Sequence, residues 1–252
     1  MKEKILQTIY DAFERWSAPI PRVCVKGCSA CCTGSVMITA LEGEAILRFI
    51  LQEGLEGWFA RCLEGKTPAP APRLTTNEYA GLCLEGVEGD DPAGICKNSA
   101  SCPFLEKNCC MIYPVRPFGC RCFASEQRCT PEEAAVLPGY YVAASTAMLQ
   151  IIEHLGQREY WGNMVDVLLA LCDAQRYGTI TDCLQERGII MQARFRTRKA
   201  VPLPGLMLLE EEHQRIAPLL SAIFTSRLDE HSIDDILNGR VHVLPHLSEK
   251  ES

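Results

Sequence analysis

Four cysteines stand within nine residues, in the run "CVKGCSACC" from Cys24 to Cys32. A second run, "CKNSASCPFLEKNCCMIYPVRPFGCRCFASEQRC", spans Cys96 to Cys129. Thiolate sulfur is the ligand of zinc, of iron–sulfur clusters and of Cu(I). The chain has 252 residues and 15 cysteines, an odd number that leaves one thiol over after complete pairing. Local geometry limits how the first run can bind. In one continuous helix Cys24 and Cys31 would share a face yet lie about 10 Å apart along the axis. Zinc–sulfur bonds are about 2.3 Å, so one ion using both cysteines requires a bend. Lys26-Gly27 supplies it after a short β-like piece, and Cys28 to Cys31 then form a tight turn. Cys31 and Cys32 are neighbours and point in different directions. Either one of them ligates, or they serve different metals, or the centre is polynuclear.

Ligating thiolates need positive surroundings. Residues 20–34 carry Arg22 and Lys26 and no acid. Residues 96–129 carry Lys97, Lys107, Arg116, Arg121 and Arg128 against Glu106 and Glu126. Seven basic against two acidic residues make +5, inside a chain of net charge −7. Arg116, between Val115 and Pro117, is the candidate donor to a cluster sulfur or to a buried carbonyl. The five histidines, His154, His213, His231, His242 and His246, lie away from both runs. An all-sulfur site follows. The second run is spaced irregularly and not in the C-x2–4-C pairs of structural zinc, which leans toward an iron–sulfur or polynuclear centre.

Cys24, Cys28 and Cys31 have the C-x3-C-x2-C spacing of radical S-adenosylmethionine enzymes. Ala30 stands where that family usually has an aromatic, Cys32 is unexplained, and the alternating strand–helix pattern of the barrel is missing. The two runs together resemble the YkgJ-type cysteine-cluster family, described as a zinc- or iron-chelating domain. The residues that carry the resemblance are Cys24, Cys28, Cys31 and Cys32, then "CPFL" from Cys102, "CMIYPVRPFGCR" from Cys110 to Arg121, and Cys129. It covers residues 22–130. It implies eight metal ligands, Cys24, Cys28, Cys31, Cys32, Cys102, Cys110, Cys120 and Cys129, with Arg116 and Arg121 beside them. Cys96, Cys109 and Cys122 are extra to the pattern. Cys62, Cys83, Cys172 and Cys183 fall on helix-like stretches and read as small buried apolar residues. The implied function is metal binding through an iron–sulfur cluster or zinc, in a structural, storage, sensing, delivery or redox role. Flagellin lysine N-methylases carry a similar cysteine run, so a cluster-dependent protein lysine N-methylase using S-adenosylmethionine is the alternative.

The elements that must position these residues are mostly helical. Leu6, Ile9, Phe13 and Trp16 form one stripe of an opening amphipathic helix. Helices are expected over 39–65, with Thr39 and Glu42 as a capping box, and over 74–84, 138–155, 160–177, 210–225 and 232–237. A short helix is expected at 181–188. Residues 66–72 read as an extended Pro/Ala linker and 88–94 as a turn. The second cysteine run reads as short strands and turns, broken by prolines. Residues 189–204 read as extended, and "RFRTRK" (194–199) as a solvated strand face or a surface for an acidic partner. The expected fold is mostly α, with an irregular cysteine-rich, metal-centred core and short strands packed with helices. The expected division is a cysteine-cluster domain over 1–132 and a helical region over 133–252. Residues 134–152 carry no charge, but Pro138, Gly139 and several hydroxyl side chains make a buried helix the reading, not a membrane span. The acidic balance argues against nucleic acid as a partner. The opening residues lack an apolar export core, so a reducing cytoplasm is the expected compartment, where dense cysteines point to metal. The partners expected are a metal ion and a protein partner or substrate.

Overall fold

The computed structural model describes residues 1–25, 27–64, 70–87, 100–129 and 135–240. Helix α1 (Lys2–Ser17) buries Ile5, Leu6, Ile9, Tyr10 and Phe13, spaced three and four apart. Strand β1 (Met37–Thr39) runs directly into α2 (Ala40–Gln52). Thr39 and Glu42 form the expected capping box there: the Thr39 hydroxyl accepts from the Glu42 amide, and the Glu42 carboxylate accepts from the Thr39 amide. The helix expected over 39–65 is two helices. Gly54 takes a left-handed φ of 64°, which ends the first, and α3 (Glu56–Leu63) starts in a new direction. A second capping box, Thr75 with Glu78, starts α4 (Thr76–Leu84).

The second cysteine run contains little regular structure. A two-stranded hairpin pairs β2 (Leu105–Glu106) with β3 (Cys109–Cys110). Its loop residues Lys107 and Asn108 both have positive φ, 48° and 63°, as a tight primed turn requires. A 3-10 turn over Tyr113–Val115 and a single-turn helix, α5 (Phe118–Arg121), complete it. Helix α6 (Gly139–Leu155) begins after Pro138 as expected. No helix among the described residues is long and apolar enough to cross a membrane.

The helix expected over 160–177 begins instead as strand β4 (Tyr160–Asn163), followed by α7 (Met164–Leu171). Tyr160 and Trp161 are bulky ring residues that favour a pleated surface, and the Asn163 side chain caps α7 by accepting from the Val165 amide. A 3-10 turn (Gln175–Tyr177) and α8 (Gly178–Asp182) come next, so the short helix lies ahead of 181–188. Residues 189–204 are extended only in part. Gly188–Arg196 is helix α9, because Ile190 and Ala193 bury a face against α7. Strand β5 (Arg198–Lys199) follows. Helix α10 (Glu210–Phe224), the ribbon of β6 (Arg227–Leu228) and β7 (His231–Ser232), and α11 (Ile233–Leu237) end the described chain.

The largest sheet has the order β1-β4-β5, all antiparallel, with Thr39 opposite Trp161 and Trp161 opposite Arg198. The chain is 53% helical and its sheets are small, so the fold is mostly α with short strands. Two apolar clusters hold it. One joins α2, α3, α7 and α9 with Phe104 and Ile112. The other joins α1, α6 and α10 with Phe118 and Ala124. Each draws on both sides of residue 132. Cys102, Cys110 and Cys120 lie at the edge of the first cluster and Cys122 at the edge of the second. The cysteine-rich run is thus wedged between the two helical packs.

Candidate metal centre

The first cysteine run is irregular backbone, with no strand at 22–25. Its entry is tied down where the Val23 amide donates to the Ser125 carbonyl at 2.9 Å. The Cys28 amide closes a turn onto Val25, and Gly27 within it has φ 90°, a conformation that favours glycine. The expected bend before Cys28 is therefore present. Next, the Cys32 amide donates to the Ser29 carbonyl and the Thr33 amide to the Cys31 carbonyl.

The two runs meet through their backbones. The Cys102 amide donates to the Cys32 carbonyl at 3.0 Å, the Gly34 amide to the Ala100 carbonyl at 2.8 Å, and Thr33 bridges Ser101. The Ser29 hydroxyl reaches Asn108 at the tip of the hairpin. Contact across roughly 70 residues of chain costs closure entropy, which this short ladder helps to offset.

The thiols fall into two groups that share Cys32. Burial first, with the thiols of Cys110 and Cys32 adding to it, raises the Cys102 thiol to about 11. Burial and then Cys32 raise Cys110. Burial holds Cys120 well above the usual thiol range, and Cys102, Cys110 and Cys32 add to this. Within Cys32, Cys102, Cys110 and Cys120 each thiol thus opposes ionisation of the others. Within the first run, Cys31 and Cys28 act on Cys32, and Cys24 acts on Cys31. The surrounding chain, followed by Cys32, Cys24 and Cys28, raises the Cys31 thiol to about 11. Cys129 is half-buried.

The extra cysteines are sorted by backbone direction. Cys109 and Cys110 are adjacent on β3, so they face opposite sides; Cys110 is half-buried and Cys109 exposed. Cys122 follows α5, lies against the other apolar cluster, and its thiol is raised by burial to about 12. Its carbonyl accepts from the Tyr141 hydroxyl at 2.9 Å. Cys96 lies outside the described residues. Among the four cysteines expected to be small buried residues, Cys172 is buried and Cys62 and Cys83 are half-buried. Cys183 departs from that expectation. It is exposed, because α8 is a single short turn and Cys183 caps its end.

The two arginines divide the role expected of Arg116. Arg121 takes the carbonyls: its Nε donates to Arg116 O at 2.8 Å and its Nη2 to Pro114 O at 3.1 Å. Its guanidinium also lies 4.5 Å from the centre of the Tyr10 ring. The loop so held presents Arg116, whose guanidinium lies over Tyr113 and favours the thiolate forms of Cys32 and Cys110. The Nε of Arg116 is buried without a hydrogen-bond partner. The "RFRTRK" cations are engaged within the chain: Arg194 pairs with Asp173, Arg196 with Asp166 and Arg198 with Glu78, and Lys199 sits over Tyr160. These pairings leave little charge there for an acidic partner.

Glu42, a residue without any cysteine-like signature, ties the centre to the helices. One carboxylate oxygen accepts from the Tyr10 hydroxyl at 2.9 Å and the Phe118 amide at 2.8 Å, while the other serves Thr39. Burial and the facing carboxylate hold the Tyr10 phenol far above its usual value, so Tyr10 is the donor. Phe118 opens the turn that carries Cys120. The capping pattern identified Glu42 as a helix start, but nothing local to residue 42 indicates Tyr10 or Phe118.

Among the described residues no three His, Cys, Asp or Glu side chains stand in the arrangement of metal ligands, and no disulfide joins the cysteines. The donor set nonetheless fits a thiophilic metal. It comprises four thiols whose charges act on one another, a second thiol group sharing one of them, and an arginine that favours the thiolate forms of Cys32 and Cys110. Comparison with protein-family models, with curated proteins and with solved structures gives no significant match.

Proposed function

We propose that this chain binds metal through an all-cysteine centre, with Cys32, Cys102, Cys110 and Cys120 as its inner set. Cys24, Cys28 and Cys31 extend it from the first run, and Cys129 is the further ligand that the family resemblance implies. What supports it is the backbone junction of Cys102 with Cys32, together with the mutual electrostatic influence of the four inner thiols, two of them also acted on by Arg116. Sharing of Cys32 between two sulfur groups favours a polynuclear centre, and so an iron–sulfur cluster over a single zinc ion. A bound metal would turn the raised thiols into thiolates and return its binding energy as folding energy. Arg116 would then compensate sulfur charge, and Arg121 would hold the Arg116 loop in place. The role that fits is structural or redox. Reading the chain as a lysine N-methylase using S-adenosylmethionine rests on the resemblance of the cysteine run alone.

The test is metal and sulfide analysis with a visible spectrum on protein purified without oxygen. Iron, sulfide and a broad band near 400 nm (roughly, for thiolate–iron charge transfer) are expected of a cluster. Colourless protein with stoichiometric zinc would convert the reading to a zinc centre. Protein that binds neither metal, as purified or after anaerobic reconstitution, would sink it.

A further inference from the structure

A cleft of about 50 Å³ opens between α1 and the loop that leads into α5. Its walls include Arg22, Arg116 and Arg121, with Tyr10, Phe118 and one acid, Glu14. Three cations therefore face one carboxylate, in a chain of net charge −7. None of the three forms an ion pair with a described residue, whereas Arg48, Arg176, Arg187, Arg194, Arg196, Arg198 and Arg240 all do. Arg121 is fixed by its two carbonyl bonds and the Tyr10 ring, leaving three of its five N–H donors uncommitted. Arg116 adds the buried Nε that has no acceptor. A buried donor without a partner in a native fold calls for an unseen water or ion.

We propose that this cleft binds a small oxyanion, the carboxylate or phosphate group of a ligand, between Arg116 and Arg121, with Arg22 at the exposed rim. The size limits the occupant. One water needs about 10–15 Å³ on this measure, so the cleft holds the equivalent of three to five waters, enough for one oxyanion group and not for a nucleotide. Planar guanidinium forks suit that chemistry better than ammonium groups would. Nothing in the cleft requires an occupied thiol site, although Arg116 borders both.

The experiment uses the full chain as purified, with metal content measured on the same sample. Inorganic phosphate and acetate are titrated separately against sodium chloride at matched ionic strength. The readout is tryptophan fluorescence, since Trp16 stacks on Tyr141 and contacts Phe13 beside the cleft. A saturable change is expected with at least one oxyanion and not with chloride. Phosphate alone, acetate alone, or both would assign the group as phosphate, carboxylate, or either. Arg22→Gln should weaken that binding about tenfold, the loss of one charge-assisted contact, with metal content unchanged. Lack of saturation with either oxyanion, or equal binding by Arg22→Gln and wild type, would overturn the proposal whatever the metal content.

Discussion

The amide of Cys102 donates to the carbonyl of Cys32 at 3.0 Å, so the two cysteine runs are joined at two residues whose thiols also oppose each other's ionisation. This bond fixes the register of one run against the other. It places Cys32 between the thiols of its own run and those of Cys102, Cys110 and Cys120. Removing the Cys32 sulfur leaves that backbone bond intact, because the bond uses main-chain atoms alone. Metal loss in such a variant can therefore be separated from collapse of the junction.

Cys32→Ser and Cys120→Ser are expected to lose at least half of the bound metal while retaining helical circular dichroism. Cys183→Ser, exposed at the end of α8, should keep the wild-type metal-to-protein ratio. The check is elemental analysis of the three variants purified alongside wild type. Full metal retention in both Cys32→Ser and Cys120→Ser would remove the inner set from the centre.

Glu42→Gln should be costly despite its near-identical shape. All four groups facing the carboxylate are donors: the Tyr10 hydroxyl, the Phe118 amide, and the Thr39 amide and hydroxyl. A glutamine offers one acceptor oxygen and turns an NH2 group toward two of those donors. The expected loss is about 2–4 kcal/mol in urea unfolding, from buried donors left unmatched. Phe118 starts the turn that carries Cys120, so metal transfer to a chelator should also speed up. A variant as stable as wild type would show that Glu42 does not organise this junction.

Several elements were legible because their signals are local. The stripe of Ile9 and Phe13 set α1, the Thr39–Glu42 pair set the start of α2, and Pro138 set the start of α6. The misread elements depended on distant partners. Tyr160 and Trp161 form a strand because β1 and β5 flank them, and 188–196 coils because α7 offers a face to Ile190 and Ala193. In the candidate centre, spacing marked the two runs but not which sulfurs face each other. That depended on the β3 alternation that turns Cys109 away from Cys110, and on the contact of Cys32 with Cys102. The arginine roles were hidden for the same reason: Arg121 binds carbonyls five and seven residues back, which frees Arg116.

Asp166 and Arg196 form a partly buried ion pair between α7 and α9, at 2.6 and 2.8 Å to the two carboxylate oxygens. Burial pushes the Asp166 carboxyl upward, and Arg196 opposes that shift. Asp166→Asn should cost about 3 kcal/mol, the low end for a broken buried pair because Arg196 keeps some contact with water. Removing both charges with Asp166→Asn and Arg196→Met should recover most of the loss. Denaturant midpoints measure both, and the metal-to-protein ratio should be unchanged. A double variant no better than the single would mean that the packing of α9, not the charge pair, carries the effect.

Cys172 gives a pH dependence that is independent of the metal centre. Its thiol is 2% exposed in the first apolar cluster, and burial alone raises it to about 12. An unfolded cysteine ionises near about 8.5. The folded state therefore holds the proton more tightly, and this contribution to stability is complete below about pH 8.5 and is lost as pH rises toward 12. Cys172→Ala removes the contribution, leaving a small cavity. At pH 8 the variant should be about 1 kcal/mol less stable than wild type. By pH 10 the wild type should have lost about 2 kcal/mol relative to the variant, from the 1.5 units between pH 10 and the unfolded value. The order of stability should then reverse. Urea midpoints of both proteins at pH 8 and pH 10 give the double difference, in which the other titrating thiols cancel. A difference that stays constant between the two pH values would show that the Cys172 thiol ionises as readily in the fold as out of it.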